Sequence, residues 1–417
     1  MGEISRSALA CGATLVAETI PGLRSVAVCW LVPGGSADDP ADRLGRSAVW
    51  SEMLMRGAGG LDSRAQADAF DRLGCARAVE VGTYFMRFTA TVLADRLDDA
   101  LPLIADMAVR PALGEDQVGP AKELALQSLE SLKDDPSQRA GIAARARHHR
   151  APRDRSGLGT VEGIEALTHG ELTAGWRAAA RPGRSIIALA GAVEGEAAAR
   201  ALDRLLTGWE GSSPEPTQGP EAPRGYGHEE DATNQVQIIA VSDAPPEGHG
   251  DSVLEKIVCG VLSGGMSGRL FSEVREKRGL CYAVSAGYRG DRDLGEFSAY
   301  VGTTPERAQE SLDVLAGELA RLGTPGGRMT PEEFTRAVVG MKSRLVFSGE
   351  SSGARAAAAA VDVHRLGRAR TLREMAEEVD RVTLDRVNEY LERRRPGRWT
   401  VQTLGPSPLN PPATLAP

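Results

Sequence analysis

RLFSEVREKRGLCYAVSA, the stretch Arg269–Ala286, predicts a helix, a sharp turn and a strand in quick succession. Leu270 and Val274 are apolar residues at helical spacing among charged ones, which is typical of a helix with one buried face. Gly279 is typical of the residue that ends a helix. From Cys281 onward, apolar and small residues alternate as they do at the start of a strand. The stretch therefore predicts a fold that mixes helices and strands around this turn.

Two polar side chains flank the turn: Arg275 in the predicted helix and Tyr282 in the predicted strand. An exposed arginine on a helix and a half-buried strand tyrosine would be the ordinary interpretation. The stretch, however, closely resembles the substrate-binding signature of the pitrilysin/insulinase family of zinc peptidases. In that family an arginine and a tyrosine at this spacing hold the carbonyl groups of a bound peptide. The resemblance thus implies that Arg275 and Tyr282 bind an extended peptide substrate.

Three further segments extend the resemblance over almost the whole chain. GSADDP, Gly35–Pro40, resembles the loop that leads into the family's first helix. SGGMSGRLF, Ser263–Phe271, resembles its glycine-rich turn and the following helix. VFSGESSGARA, Val346–Ala356, resembles a late helix-breaking segment of the second domain. Each segment is weak evidence alone, because glycine-rich turns and charged loops are common, but together and in this order they are strong.

The segment that would be catalytic departs from the family's pattern. Active members carry HxxEH on the helix after the GSADDP-like loop, where two histidines bind zinc and the glutamate activates the metal-bound water. The matching segment here is AVWSE. Ala48 and Glu52 therefore stand at the two ligand positions, and Ser51 stands where the general base belongs. An alanine side chain cannot bind a metal, so the resemblance implies that these catalytic positions are degenerate.

The family's distal zinc ligand, a glutamate on a later helix, is also affected. The matching segment is LQSLESLKDDPS, Leu126–Ser137, and the best alignment places Ser128 at the ligand position. A shift of one or two residues would bring Glu130 closer. We therefore expect no catalytic residue, no metal site and no cofactor in this chain, with zinc bound instead by a partner subunit.

The remaining histidines and cysteines do not predict another metal site. No two of the six histidines are four residues apart, and the adjacent His148 and His149 would point in different directions on a helix. Their surroundings, ARARHHRAPRDR, predict a solvated basic face. The five cysteines form no CxxC motif, so the sequence predicts reduced and buried thiols rather than a structural zinc site.

Length and composition restrict the class of protein. A chain of 417 residues is too long for one hydrophobic core and fits two domains. The net charge of −8 argues against general nucleic-acid binding. The sequence contains no long unbroken apolar stretch, which predicts that the protein does not span a membrane. Its first twenty residues lack a basic start followed by a long apolar core, and so we expect a cytoplasmic protein.

The pattern of predicted elements divides the chain into two similar halves. Phe88–Met107 and Phe297–Leu319 both read as a strand feeding a helix, and a long helix follows each. We predict an N-terminal domain at 1–212, a Pro- and Gly-rich linker at 213–229, a C-terminal domain at 230–404 and a Pro-rich, disordered or extended tail at 405–417. The fold class is α+β, with two homologous domains that each pack helices on one face of a mostly antiparallel sheet. By resemblance, the pair would form half of a clamshell around a peptide.

Three functional hypotheses remain open. The first is a non-catalytic, substrate-binding subunit of a heterodimeric zinc metallopeptidase, in which Arg275 and Tyr282 complete the site of a homologous HxxEH partner. The second is a structural or peptide-binding homologue with no protease role. The third is an independently active peptidase with unconventional ligands such as Glu52 and Glu130. The presence of both Arg275 and Tyr282 favours the first hypothesis over the second, because a scaffold would need neither side chain.

Overall fold

The computed structural model describes residues 3–415, which form two compact units. Neither unit is a continuous segment of the chain. The first unit comprises the chain up to Ser131, together with Ala151–Gly219 and Ser348–Thr371. The second comprises Leu132–Arg150, Pro220–Phe347 and the chain from Leu372. Each half of the sequence therefore contributes one short segment to the unit built mainly by the other half.

The first unit is built on a six-stranded sheet with the strand order β1-β2-β8-β3-β7-β6. All neighbouring strands are antiparallel except the parallel pair β2 and β8. A two-stranded hairpin, β4 and β5, is separate from this sheet. The strands are β1 (Glu3–Ala8), β2 (Thr14–Thr19), β3 (Ser25–Pro33), β4 (Gly57–Ala58), β5 (Leu61–Asp62), β6 (Ala76–Val81), β7 (Phe85–Leu93) and β8 (Ile186–Gly191).

One face of this sheet is covered by helices from the first half of the sequence. The main hydrophobic core lies between these helices and the sheet, and Val28 and Trp30 of β3 point into it. The Trp30 indole Nε1 donates a hydrogen bond to Ser185 Oγ at 2.6 Å. The helices of the first half that belong to this unit are α1 (Arg46–Met53), α2 (Ser63–Arg72), α3 (Leu97–Val109), α4 (Glu115–Ser131), α6 (Val161–Glu165), α7 (His169–Ala179) and α8 (Gly195–Leu205).

The opposite face of the same sheet is covered by a helix from the second half of the sequence, α12 (Ser352–Leu366). Small side chains such as Ala356 and Ala360 pack there against Ala27 and Cys29 of β3. Because alternate residues of a strand point to opposite faces, β3 is buried on both sides, which explains its continuous apolar sequence SVAVCWLV. Arg355 Nη2 of α12 is paired with Glu18 Oε2 at 2.8 Å, and both side chains are buried.

The second unit is built on a five-stranded sheet with the order β11-β12-β10-β13-β9. Only the pair β13 and β9 is parallel. Its strands are β9 (Gly225–Glu230), β10 (Val236–Ala244), β11 (Cys281–Gly290), β12 (Gly295–Thr303) and β13 (Thr400–Gly405). Its other elements are α5 (Pro136–His148), α9 (Ser252–Ser263), a π-helical turn (Phe271–Glu276), α10 (Ala308–Arg321), α11 (Pro331–Gly349), α13 (Leu372–Asp380) and α14 (Leu384–Arg393), with the end of α11 passing into the first unit.

Helix α5, from the first half of the sequence, covers the second face of this sheet. Its residues Ala140 and Ala144 pack against Ile239 and Val241 of β10. The expectation of a solvated basic face around His148 and His149 is wrong for the last turn of α5. His148 is buried, with its ring Nδ1 3.0 Å from Thr400 Oγ1. An alternation of charged and small residues does not reveal that the helix lies against a sheet from the other half of the chain.

The predicted linker and tail also differ from the structure. The units divide at Gly219/Pro220, within the predicted linker 213–229, but that linker also contains most of strand β9, which pairs with β13. The predicted tail 405–417 is packed as far as residue 415. Leu415 is buried in the core of the second unit, and the Leu409 backbone N–H donates to Tyr226 Oη at 2.7 Å. A proline-rich composition predicts irregular backbone. It does not predict that such a segment lacks contacts with the rest of the unit.

The α+β fold class and the two mostly antiparallel sheets are confirmed. The internal repeat is real: β7 leads into α3 as β12 leads into α10, and each strand pairs with a central strand of its own sheet. The helices predicted on one face of each sheet are present, and α5 and α12 add a helix to the second face. Within residues 3–415, no helix is long and apolar enough to cross a membrane.

Candidate functional site

Arg275 lies on the π-helical turn Phe271–Glu276. The wider winding shows in the hydrogen bond from the Lys277 N–H to the Ser272 carbonyl, five residues back, at 3.0 Å. Such turns occur frequently at functional sites, because the extra residue per turn changes the direction of the side chains. Gly279 ends the segment in the left-handed conformation with φ of 61°, as predicted for a residue without a side chain.

A buried arginine fastens the start of this segment. Arg269 Nε and Nη2 donate to the two carboxylate oxygens of Glu333 on α11 at 2.6 and 2.7 Å. Its Nη1 also donates to the Gly327 carbonyl at 2.8 Å. Burial raises the pKa of Glu333, but the hydrogen bonds from Arg269 and from the Thr330 backbone, together with nearby positive charge, outweigh it and leave the pKa below its ordinary value. The π-helical turn is thus held by a two-pronged ion pair.

Tyr282 lies at an irregularity of strand β11. Cys281 pairs with Thr303 of β12 and Ala283 pairs with the next residue, Gly302, so that Tyr282 is the extra residue of a β-bulge. A bulge rotates the local backbone and redirects the side chain that it carries. Tyr282 is 78% exposed.

The two irregular segments bring Arg275 and Tyr282 together. The Arg275 guanidinium carbon lies 5.9 Å from the centre of the Tyr282 ring and 5.0 Å from that of Phe271. Within this distance a guanidinium is attracted to an aromatic face. Arg275 is exposed, so both its N–H groups and the Tyr282 hydroxyl face solvent, where they can donate to a ligand. The sequence predicted these two residues, but it did not predict the π-helical turn and the β-bulge that position them.

Strand β11 is an edge strand, because it pairs only with β12. Within residues 3–415, the backbone N–H and C=O groups on its other side have no partner strand. An extended peptide can pair with such an edge, with its backbone supplying the affinity. Tyr282 stands at the beginning of β11, at the end nearest Arg275. The arrangement offers a strand-like peptide both an edge to pair with and two donors at one end of that edge.

The loop before α1 holds the beginning of that helix. Asp39 accepts hydrogen bonds from the Gly45 and Ser47 backbone N–H groups, both at 2.9 Å, and from Ser47 Oγ at 3.0 Å. The carboxyl group is buried, which raises its pKa to about 6 in spite of these bonds and of Arg46 nearby. In the GSADDP segment, therefore, one aspartate stabilises the start of α1.

The side chains at the three degenerate positions of α1 either make ordinary contacts within the fold or make none. Ala48 is buried, and Ser51 Oγ donates to the Ala48 carbonyl at 2.7 Å. Glu52 is partly exposed. Between them, Trp50 is fully buried and its Nε1 donates to the Leu172 carbonyl at 3.0 Å. Of the three positions, only Glu52 carries a side chain that commonly binds a metal.

Helix α4, which carries the distal ligand position, packs directly against α1, as the family pattern requires. Ser128 Oγ donates to the Leu124 carbonyl of its own helix at 3.0 Å. Ser128 and Glu130 are both exposed. Among residues 3–415, no three His, Cys, Asp or Glu side chains come close enough to hold a metal ion, and so Glu52 and Glu130 belong to no such group.

Comparison with protein families covers both halves of the chain. The family description "Insulinase (Peptidase family M16)" matches residues 14–157, and "Peptidase M16 inactive domain" matches residues 166–341. The chain belongs to the M16 peptidase family. Because the family's HxxEH motif is replaced by AVWSE, this chain is a non-catalytic M16 member.

Curated relatives extend over most of the chain. An uncharacterized zinc protease of Streptomyces coelicolor is 27% identical over 367 residues, which is 85% of this chain and 79% of the relative. One from Mycobacterium leprae is 25% identical over 416 residues, 97% of this chain and 92% of the relative. The zinc protease YmxG of Bacillus subtilis is 25% identical over 382 residues, 90% of this chain and 92% of the relative.

Solved structures share the complete fold. An M16 inactive domain from Pseudomonas fluorescens superposes with a TM-score of 0.85 at 22% identity, covering 98% of this chain and 99% of that one. A protease from Helicobacter pylori gives 0.84 at 16% identity, with 97% and 100% covered. A chain of complex III2 from Candida albicans gives 0.81 at 18% identity, with 97% and 96% covered. At these identities the likeness shows the M16 fold.

Proposed function

We propose that this protein is the substrate-binding subunit of a heterodimeric zinc metallopeptidase that cleaves unfolded peptides. Arg275 and Tyr282 would complete an active site whose zinc is held by the HxxEH helix of a homologous partner. The peptide would add as a strand to the edge of β11. The cytoplasm is the proposed location of the complex.

The observation that carries the proposal is the joint placement of Arg275 and Tyr282. Two departures from regular backbone, the π-helical turn and the β-bulge, bring these side chains into contact and leave both exposed. Exposed tyrosine rings and π-helical turns add little to stability. Their coincidence supports a binding role, because both side chains are hydrogen-bond donors that can reach peptide carbonyl groups.

The chemistry divides accordingly between the two chains. The Arg275 guanidinium and the Tyr282 hydroxyl would donate hydrogen bonds to carbonyl oxygens of the bound peptide and fix it as an extended strand. They would also stabilise negative charge that develops on a carbonyl oxygen during attack. Hydrolysis would require the partner, since Ala48, Ser51 and Glu52 stand where active members have their first histidine ligand, their glutamate base and their second histidine ligand.

The test is peptidase activity on an unstructured peptide, measured for this chain alone, for a homologous HxxEH chain alone and for the mixture. We expect activity from the mixture only. Arg275→Ala or Tyr282→Phe should lower the rate by roughly 10²–10³-fold, the usual cost of one such electrostatic contact. Arg278→Ala is the matched control: this nearby arginine bonds to Glu273 at 2.9 Å, and its loss should leave the rate nearly unchanged.

A structural or peptide-binding role without proteolysis remains the alternative, because the same fold occurs in a chain of complex III2. If the two chains form no stable complex and mixing produces no activity, the heterodimer proposal is wrong. Peptide binding by the single chain that disappears in Arg275→Ala would then identify a peptide-binding protein. Zinc-dependent activity of this chain alone would support the third hypothesis instead.

A further inference from the structure

The two faces of the edge strand β11 differ in their surroundings. Ala286 and Tyr288 pack against the core of the second unit. Because alternate residues of a strand point to opposite faces, Ser285, Gly287 and Arg289 lie on the other face. Helix α5 packs mainly on β10, β13 and β9 of that face. Ser285 and Arg289 are exposed there, so a peptide paired with the edge of β11 can reach them.

Gly287 forms the floor of an open space on this face. Apart from its chain neighbours, a Cβ atom placed on Gly287 would meet only Ser298 Oγ, at 3.9 Å, among the described residues. Ser298 lies directly opposite Gly287 on β12. The next ring along β12, that of Tyr300, is held towards β10, because its hydroxyl donates to Gln237 Oε1 at 2.7 Å. A large side chain from a neighbouring strand can therefore lie over Gly287.

Arg289 borders this space two residues further along β11. Its side chain is exposed and, within residues 3–415, makes no hydrogen bond or ion pair. Its cross-strand neighbour is Glu296 of β12, whose Oε2 lies 2.5 Å from His149 Nε2 of the first half of the sequence. The Arg289 guanidinium group thus remains able to bind a carboxylate, whose planar geometry matches its own.

A peptide that pairs with β11 places its own residues directly opposite those of the strand. Side chains in opposite positions lie on the same face of the sheet, and so do peptide residues two positions apart. A peptide side chain opposite Gly287 therefore enters the open space, and one opposite Arg289 lies two positions away from it. An aromatic ring can cover a glycine of the neighbouring strand, and opposite charges in opposite positions stabilise strand pairing.

We propose that Gly287 and Arg289 select the substrate and favour extended peptides with an aromatic and an acidic residue two positions apart. The aromatic ring lies over Gly287, and the carboxylate pairs with Arg289. This inference rests on the proposed function, since it concerns the peptide that Arg275 and Tyr282 hold at the beginning of the same strand. The simpler alternative is that Arg289 only protects an edge strand from aggregation, as charged residues often do.

Fluorescence anisotropy of the full chain with labelled, unstructured peptides of about twelve residues tests the preference. The peptides carry Phe-x-Glu or Glu-x-Phe, because a strand can pair with the edge in either direction. We expect at least one order to bind at least about threefold more tightly than a peptide in which Phe and Glu are adjacent. Replacing Glu by Gln should weaken binding about threefold, and replacing Phe by Ala about fivefold.

Substitutions in β11 separate the two contacts. Gly287→Val fills the open space and should remove the advantage of Phe over Ala without changing the affinity for the Ala peptide. Arg289→Gln should remove the advantage of Glu over Gln, and Arg289→Glu should transfer the preference to a peptide with Lys at that position. The matched control is Arg292→Gln, which removes an exposed arginine paired with Asp293 at 3.2 Å between β11 and β12 and should retain both preferences.

The outcomes distinguish this inference from the proposed function. Binding that depends on Arg275 but not on the spacing of Phe and Glu would overturn the inference and leave the proposed function standing. A preference that survives both Gly287→Val and Arg289→Gln would overturn it too. If no peptide binds below about 1 mM, the proposed function is wrong and the inference is wrong with it.

Discussion

The α1 segment and the Arg275–Tyr282 turn both align with functional motifs of the M16 family, yet their side chains differ in environment. In α1 the former catalytic positions fit into ordinary structure: Ala48 is buried and Ser51 bonds to its own helix. At the turn the backbone is irregular and the side chains are exposed. The regular helix α1, without the family's metal ligands, therefore indicates a structural role. The irregular backbone and exposed hydrogen-bond donors of the Arg275–Tyr282 turn indicate a binding surface.

The strongest test of this contrast is to restore the metal ligands on α1 and α4. We expect Ala48→His/Glu52→His/Ser128→Glu to bind zinc with at least about micromolar affinity, roughly 8 kcal/mol, because α1 already packs against α4. Equilibrium dialysis with zinc measures it. The matched control is Ala48→His/Glu52→His, which leaves Ser128 unchanged and retains Glu130 as the alternative third ligand. Equal zinc affinity of the triple and double variants would indicate that Glu130 occupies the distal ligand position. If the triple variant folds but does not bind zinc, the alignment of these positions with the family's ligands is wrong.

The second prediction concerns the structural role of α1. Trp50 is fully buried, bonds to the Leu172 carbonyl and packs edge-to-face against Trp176 at 5.3 Å. Trp50→Ala should therefore lower the free energy of unfolding by about 3–5 kcal/mol. Urea denaturation measures the loss. A decrease below about 1 kcal/mol would show that α1 is not the scaffold that the comparison requires.

The third prediction tests the ion pair that anchors the binding turn. Arg269→Met leaves the half-buried Glu333 without its partner and should cost about 3 kcal/mol. Because the pKa of Glu333 in the folded protein lies below its ordinary value of 4.5, its contribution is present above pH 4.5 and is lost as the pH falls through the folded value. The stability difference between wild type and Glu333→Gln should accordingly shrink in acid. A difference that is constant from neutral to acid pH would disprove this role.

The smallest expected effect is on the stability of the binding side chains themselves. Tyr282→Ala and Arg275→Ala should change the free energy of unfolding by less than about 0.5 kcal/mol, since both residues are exposed. The same denaturation experiment measures this. Large losses would mean that the two residues maintain the turn, and the contrast with α1 would disappear.

The sequence predicted most elements because their patterns are local. The strand and helix expected in Phe88–Met107 are β7 (Phe85–Leu93) and α3 (Leu97–Val109), and those expected in Phe297–Leu319 are β12 (Gly295–Thr303) and α10 (Ala308–Arg321). Gly279 ends the helical segment as predicted. Arg275 and Tyr282 were identified by their motif, and their contact follows from the short path between them.

The devices that shape the site could not be predicted from the same patterns. A π-helical turn and an α-helix share nearly the same apolar spacing, and the bulge at Tyr282 depends on the register with β12. Arg269 looked like one more charge among several, although its side chain is buried against Glu333. An amphipathic helix pattern also does not state which sheet the helix covers, which is why the placement of α5 and α12 was missed.

The exchange of α5 and α12 between the two halves determines the order in which this protein can fold on the ribosome. The first unit needs Ser348–Thr371, so its sheet cannot be covered on both faces until nearly the whole chain has been synthesised. Domains commonly fold one after the other as they emerge, the N-terminal one first. Here the N-terminal unit must wait with one apolar sheet face uncovered, and we expect the nascent chain to depend on chaperones until α12 arrives.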